Sequence, residues 1–138
     1  MKRLPMTPDN YHAFVDGMKT VTRRIINLPR PYYKQEEKVV VVTRWAAFPK
    51  FDNRKPSEII DDYPIFVGNE CPKNYKHRPA LFLPIHLEHH FPNAEIVSVM
   101  AERLQEITEE DAILDGIERV GGKYSCCPWV WRIEFKKC

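Results

Sequence analysis

The chain has 138 residues and a mass of 16.3 kDa, with 43% hydrophobic and 29% charged residues and a mean hydropathy of −0.46. This length and composition predict one soluble globular domain. A net charge of +2, from 21 basic and 19 acidic residues, argues against a protein that coats nucleic acid through a strongly basic face. Because no long apolar run occurs, at the N-terminus or elsewhere, we expect neither a membrane-spanning nor a secreted protein.

The cysteine and proline patterns add two expectations. The four cysteines include no C-x-x-C pair, which argues against a zinc ribbon. Because we expect no export signal, the cysteines favour a reducing, cytoplasmic setting. The chain has twelve prolines against five glycines, and most of the prolines lie between Pro29 and Pro92. We therefore expect a single domain with regular ends and an irregular, proline-rich insertion around residues 49–79.

The first predicted element is a short helix over residues 8–16. Thr7 supplies a hydroxyl N-cap, Pro8 suits the first helical position, and Gly17 is a favourable stop. Apolar residues follow at helical spacing, at Tyr11, Phe14, Val15 and Met18.

Several further segments have the residue patterns of strands. Thr20–Ile26 alternates, with Thr22 and Arg24 on one face, and Val39–Thr43 is the continuous β-branched run of a strand buried on both faces. Pro84 confines a strand in Leu81–His86 to an edge or a bulge. The remaining predicted strands are Ile65–Val67, stopped by Gly68, then Ala94–Leu104 and Trp129–Lys136.

A capping box at Thr108–Asp111 predicts a second short helix over residues 109–115, ending at Gly116. The total is five or six strands with two short helices. Because the helices do not alternate with the strands, the pattern favours an α+β fold built on a small mixed β-barrel over a parallel α/β sheet.

The densest polar cluster runs from Gly17 to Arg24 and has two interpretations. It is either a helix C-terminus leading into a strand with a solvated basic face, or a reactive site. In the second interpretation Lys19, if desolvated, accepts the proton of the Thr22 hydroxyl, and a carboxylate must orient the lysine.

Four segments in order resemble the ASCH family, the activating-signal-cointegrator homology domains, in its phage and bacterial form. The first is Gly17–Arg24, which reads Gly-x-Lys-Thr-x-Thr-x-Arg. The others are Arg78–Pro84, Arg103–Gly116 with its "RLQ-I-T-EEDA" sequence, and the closing segment Trp129–Lys136. Together they span most of the chain.

The resemblance implies a PUA-like β-barrel, related to RNA-binding domains, whose partner is RNA or a modified nucleoside. On this basis we assign nucleic-acid or nucleoside binding to Arg23, Arg24, Trp45 and Arg78, with Lys19 beside them. Trp45 is then either a platform on which a base stacks or simply a core residue. No cofactor, no membrane partner and a monomer or weak homodimer are expected.

Some small bacterial ASCH proteins are amidohydrolases that deacylate N4-acetylcytidine. Carried over by position, their catalytic residues are Lys19 and Thr22, and the family's glutamate falls on Asp115, which is one methylene shorter. Three functions therefore stay open: a nucleic-acid or nucleoside-binding module, an amidohydrolase with Thr22 as nucleophile, and a small interaction protein in which the motif only closes the barrel.

A histidine-rich segment follows Pro84. His86, His89 and His90 lie close together, but only Glu88 accompanies them in sequence, and prolines bracket the segment as a loop. We therefore expect no metal site there.

Overall fold

The computed structural model describes residues 1–26, 30–103 and 129–138. They form an α+β fold, as predicted, in which one α-helix, α1 (Pro8–Val15), accompanies seven strands and five short 3-10 helices. The strands are β1 (Lys2–Pro5), β2 (Val21–Ile25), β3 (Lys38–Val42), β4 (Trp45–Ala46), β5 (Phe66–Val67), β6 (Asn93–Arg103) and β7 (Trp129–Lys137). The 3-10 helices are Pro49–Phe51, Pro56–Glu58, Gly68–Glu70, Ala80–Phe82 and Ile85–His90. The helix predicted at 109–115, with Asp115, lies outside the described residues.

Five strands form one mixed sheet in the order β1-β3-β6-β7-β2, and β4 pairs with β5 apart from it. β1 runs parallel to β3, whereas the other three pairings of the sheet are antiparallel. The strand hydrogen bonds of the described residues leave β1 and β2 as the sheet edges, so this part of the chain shows an open sheet and no closed barrel.

Helix α1 begins and ends where its capping residues predict. The Asn10 N–H donates to the Thr7 hydroxyl at 3.4 Å, and Gly17, two residues past the helix, has a φ of 78°. Tyr11 and Phe14 are buried, and the Phe14 ring meets that of Phe135 edge to face with centroids 5.5 Å apart. Met18 was predicted on the same apolar face, but it lies beyond the helix end and is exposed.

The core is built on β3, whose burial on both faces confirms the prediction from its β-branched run. All four valines of Val39–Val42 are buried. Within the sheet, β3 lies between β1 and β6. Each valine contributes about 1.5–3 kcal/mol by leaving water. Strand β7 is present as predicted and is half-buried: Ile133 and Phe135 enter the core while Lys136 is exposed. A strict alternation would bury Trp129, but Trp129 is exposed and Val130 is buried.

The segment Leu81–His86 was predicted as an edge strand, and this was wrong. It lies in the 3-10 helices Ala80–Phe82 and Ile85–His90. Each follows a proline whose carbonyl accepts the first turn's hydrogen bond: Phe82 N–H donates to Pro79 and Leu87 N–H to Pro84, both at 3.1 Å. Proline fixes φ and supplies no N–H, so two prolines five residues apart favour tight turns over a paired strand.

The irregular middle of the chain is held by aromatic packing around Phe48. Its ring centroid lies 5.9 Å from that of Tyr63, 5.8 Å from Phe66 and 6.3 Å from Tyr75. The short strand predicted at Ile65–Val67 is present as β5, which pairs with β4. Offset and edge-to-face aromatic contacts of this kind stabilise a segment that lacks long strands or helices.

Candidate functional site

A cleft of about 740 Å³ lies between α1 and the start of β2. One wall is helical and consists of Asp9, Asn10, His12, Ala13 and Asp16. The other wall is the connection into β2 together with the strand itself, and consists of Met18, Lys19, Thr20, Val21 and Arg23. The conspicuous polar run of the sequence, Gly17–Arg24, therefore contributes one side of a real concavity.

The helical wall follows from the periodicity of α1. Asp9, His12 and Asp16 are separated by three and four residues, so they share one face of the helix. The neighbouring face carries Tyr11 and Phe14 into the core. The apolar face therefore fixes how α1 packs, and this packing presents the polar face to the cleft.

Two hydrogen bonds hold this wall in place. The Asn69 backbone N–H donates to His12 Nε2 at 2.9 Å, and the Asn69 side-chain amide donates to Asp9 Oδ1 at 2.8 Å. An accepting Nε2 places the proton of a neutral His12 ring on Nδ1. Gly68 permits this approach, since a Cβ at that position would lie 2.5 Å from His12 Nε2.

The basic wall combines a buried lysine with a paired arginine. Lys19 is only 8% exposed although it lines the cleft. Arg23 Nε donates to Glu102 Oε1 at 3.1 Å, and the same carboxylate lies 3.7 Å from Arg132 Nε. Arg132 also lies 3.5 Å from a carboxylate oxygen of Glu134, so two carboxylates accompany the two guanidinium groups here.

Thr22 and Arg24, the other predicted residues of the motif, do not belong to the cleft lining described above. Thr22 is 1% exposed and sits opposite Ile133 in the β2–β7 pairing. The Arg24 guanidinium donates to the backbone carbonyl of Pro5 at 2.5 Å. Alternation places the two side chains on one face of the strand, where Thr22 is buried and Arg24 is half-buried at the sheet edge.

Trp45 and Arg78 lie together, and they are buried away from the cleft. Trp45 is 0% exposed, and its indole N–H donates to the Pro79 carbonyl at 3.2 Å. The Arg78 guanidinium carbon is 5.6 Å from the centroid of this ring. A fully buried ring offers no free face to a base, so we leave both residues out of the proposed site.

The third predicted catalytic residue, Asp115, lies outside the described residues. The residues that the sequence analysis missed are those of the helical wall, chiefly Asp9, His12 and Asp16. Their spacing was a usable signal, because it runs alongside the apolar spacing that predicted α1. The spacing does not show which other segment of the chain lies opposite this face.

A comparison of the chain with protein-family models, curated proteins and solved structures finds no match. None of the helices in the described ranges is long and apolar enough to cross a membrane.

Proposed function

We propose that the chain is a nucleic-acid or nucleoside-binding module of ASCH type, that its partner is RNA or a modified nucleoside, and that the cleft between α1 and β2 is the binding site. The observation that carries the proposal is the position of Lys19 and Arg23. These two basic residues of the motif line the same cleft of about 740 Å³, within the size range of small-ligand sites.

The charges of the cleft fit one nucleotide better than a long backbone. Asp9 and Asp16 stand on the helical wall, opposite Lys19 and Arg23. A carboxylate accepts from the exocyclic amino group of a base such as cytosine, whereas arginine and lysine bind phosphate. A base on the acidic side with its phosphate on the basic side satisfies both walls, while a run of phosphates meets repulsion from the two carboxylates.

The finer fold assignment, a PUA-like barrel, also belongs to this proposal. Its support is the Arg24 side chain, which reaches from the edge strand β2 to the carbonyl of Pro5 on the edge strand β1. The sheet therefore curls far enough for one side chain to connect its two edges. Such curling is what a small barrel requires.

The amidohydrolase alternative needs the carbonyl of an N4-acylated cytidine to reach Thr22. At 1% exposure, that hydroxyl is beneath the surface of the described structure, whereas Lys19 and Arg23 line the cleft. Binding is therefore the function that the geometry favours over nucleophilic catalysis.

The interaction-protein alternative has one observation in its favour. Leu81, Phe82 and Ile85 are exposed apolar side chains on the two adjacent 3-10 helices. Contiguous exposed apolar groups are typical of interaction surfaces. In the described ranges these side chains occur in addition to the cleft. We therefore keep nucleic-acid or nucleoside binding as the proposed function.

The test is a titration of the full chain with cytidine, cytidine monophosphate, N4-acetylcytidine and a short single-stranded RNA, by calorimetry and fluorescence anisotropy. Arg23→Glu should weaken binding of the phosphate-bearing ligands at least about tenfold. It should also lower the salt slope of RNA binding by about 0.7 for each phosphate that the variant no longer binds. Arg54→Glu makes the same charge change on an exposed side chain outside the cleft, and should have little effect.

Equal weakening in the two variants would mean that net charge and not the cleft determines binding. No binding of any ligand by the wild type would contradict the proposal. Release of cytidine from N4-acetylcytidine by the wild type, abolished in Thr22→Ala and increased in Asp115→Glu, would establish the amidohydrolase instead.

A further inference from the structure

Two of the clustered histidines share a carboxylate that is remote in sequence. His89 Nε2 lies 2.5 Å from Asp61 Oδ2, and His90 Nε2 lies 2.9 Å from Asp61 Oδ1, across 28 and 29 residues of chain. The ligand atoms of the three residues lie within 4.8 Å of one another. The carboxylate near them in sequence, Glu88, pairs with Arg3 instead, and Asp61 comes close only through the fold.

Both segments that carry this cluster are anchored in the core. Leu87 and Phe91 are buried on either side of the histidine pair, and Ile59 is buried two residues before Asp61. His86 adds a direct link, since its Nε2 lies 2.8 Å from the Ile59 carbonyl. The backbones of the two segments are therefore fixed relative to each other, while the three side chains at the surface can adjust.

We propose that Asp61, His89 and His90 bind one divalent transition-metal ion, with Zn²⁺ as the preferred ion. Two imidazole nitrogens and one carboxylate oxygen form the ligand set that zinc takes at about 2.0–2.2 Å. Tetrahedral ligands at those distances are about 3.3 Å apart. Side-chain rotations of about an ångström bring the three atoms of this cluster to that separation, and surface side chains make such rotations readily.

A bound metal ion would take the place of the hydrogen bonds that now join the three side chains. Each Asp61 carboxylate oxygen faces one imidazole nitrogen, so the three ligand atoms already converge on one point. Each imidazole must present an unprotonated Nε2 to the metal, so a neutral ring carries its proton on Nδ1 and an imidazolium ring loses one proton. Three protein ligands leave a fourth position for water at this partly exposed site.

The proposed metal site and the cleft share no residues, because none of the three metal ligands lines the cleft. The inference therefore does not depend on the proposed nucleoside function. The consequence of metal binding is mechanical: the ion joins the loop that carries Asp61 to the 3-10 helix Ile85–His90, and so it should stabilise the folded chain.

The experiment is a calorimetric titration of the full, reduced chain with zinc chloride, with stoichiometry confirmed by native mass spectrometry. One equivalent should bind. Asp61→Asn, His89→Gln and His90→Gln should each weaken binding at least about tenfold. His77→Gln is the matched control, because His77 is an exposed histidine outside the cluster whose ring lies 2.7 Å from the Pro72 carbonyl.

NMR spectra of the imidazole nitrogens give an independent readout, in which zinc should shift the Nε2 signals of His89 and His90 and leave those of His77 unchanged. The substituted side chains lie at the surface, so the variants should fold, and circular dichroism checks this. Absence of saturable zinc binding would overturn the proposal. Binding that the three cluster variants do not weaken would also overturn it, since the ion would then sit elsewhere, for example on a cysteine.

Discussion

The guanidinium of Arg24 donates to the main-chain carbonyl of Pro5 at 2.5 Å, and this hydrogen bond joins the two edges of the five-stranded sheet. Arg24 belongs to β2 and Pro5 to β1, strands that stand at opposite ends of the strand order. An arginine of the polar motif thus acts between sheet edges, where the carbonyl of an edge strand needs a donor.

Replacement of Arg24 should therefore reduce stability. Arg24→Ala removes the donor to Pro5 and should lower the free energy of unfolding by about 1–2 kcal/mol, the usual contribution of a charge-assisted hydrogen bond at a partly solvated position. Arg24→Lys keeps the charge and should recover part of that stability. Urea unfolding measures both, with Lys55→Ala as an exposed control. Equal stability of Arg24→Ala and wild type would show that the hydrogen bond does not hold the edges together.

Gly68 should be required for the helical wall of the cleft. Its φ is 57°, and a Cβ there would lie 2.5 Å from His12 Nε2. Gly68→Ala should therefore cost about 1–3 kcal/mol from backbone strain and displacement of the His12 ring. It should also disturb the Asn69-to-His12 hydrogen bond.

Gly17→Ala is the matched control for this prediction. Gly17 also has a positive φ, 78°, but a Cβ there would meet no atom within 4 Å. This variant should show only the strain component, so thermal unfolding of the two variants separates strain from the clash with His12. Gly68→Ala as stable as Gly17→Ala would mean that the ring simply moves aside.

Tyr33 should remain protonated well into alkaline solution. Burial raises the pKa of its hydroxyl from 10.0 to about 12, against a smaller lowering by Arg24. The hydroxyl donates to the Arg3 carbonyl at 2.6 Å, and ionisation would remove that donor. In an ultraviolet titration, the phenolate signal that is lost in Tyr33→Phe should appear near pH 12.

The same shift makes stability depend on pH. Between pH 10 and about 12 the unfolded chain loses the Tyr33 proton while the folded chain keeps it, so stability falls as pH rises through that window. The decrease should reach about 2–3 kcal/mol. Tyr33→Phe should remove this part of the alkaline decrease, whereas Tyr32→Phe, on an exposed ring, should not. An unchanged alkaline profile in Tyr33→Phe would contradict the assignment.

Residue patterns within one segment predicted the helix and the strand that depend mainly on their own sequence. Capping by Thr7 and Pro8 set the start of α1, and the valine run Val39–Val42 identified β3. The strand β1, by contrast, was not predicted. Its four residues carry no strand pattern of their own, and they become a strand because they pair with β3, more than thirty residues along the chain.

In the candidate sites too, residues close together in sequence could be grouped from the sequence, whereas residues brought together by the fold could not. The motif around Lys19 and Arg23 predicted the basic wall of the cleft, because those residues lie only four positions apart in sequence. The acidic wall depends on how α1 packs. The Asp61 carboxylate reaches His89 and His90 only through tertiary structure, which no local pattern encodes. Sequence spacing therefore indicated one wall of the cleft, and for the histidines it predicted no metal site because Asp61 is remote in sequence.

Arg78 tests the division between structural and binding residues most directly. The resemblance assigned it to nucleoside binding, whereas in the structure its Nη2 donates to the carbonyls of Phe51 at 3.0 Å and Arg54 at 3.2 Å, and its guanidinium lies against Trp45. Arg78→Ala would leave two carbonyls without this donor and remove the cation near the Trp45 ring. The free energy of unfolding should fall by about 2–4 kcal/mol.

Arg78→Lys should restore less than half of that stability, since an ammonium lacks the planar fork of N–H donors that serves both carbonyls. Arg54→Ala is the control, because its side chain is largely exposed, and it should change stability by less than about 0.5 kcal/mol. Urea unfolding followed by tryptophan fluorescence measures all three. Below its unfolding transition, Arg78→Ala should bind cytidine monophosphate as tightly as wild type, because Arg78 does not line the cleft. A variant that keeps its stability but no longer binds the nucleotide would place Arg78 in the binding site and Trp45 beside it.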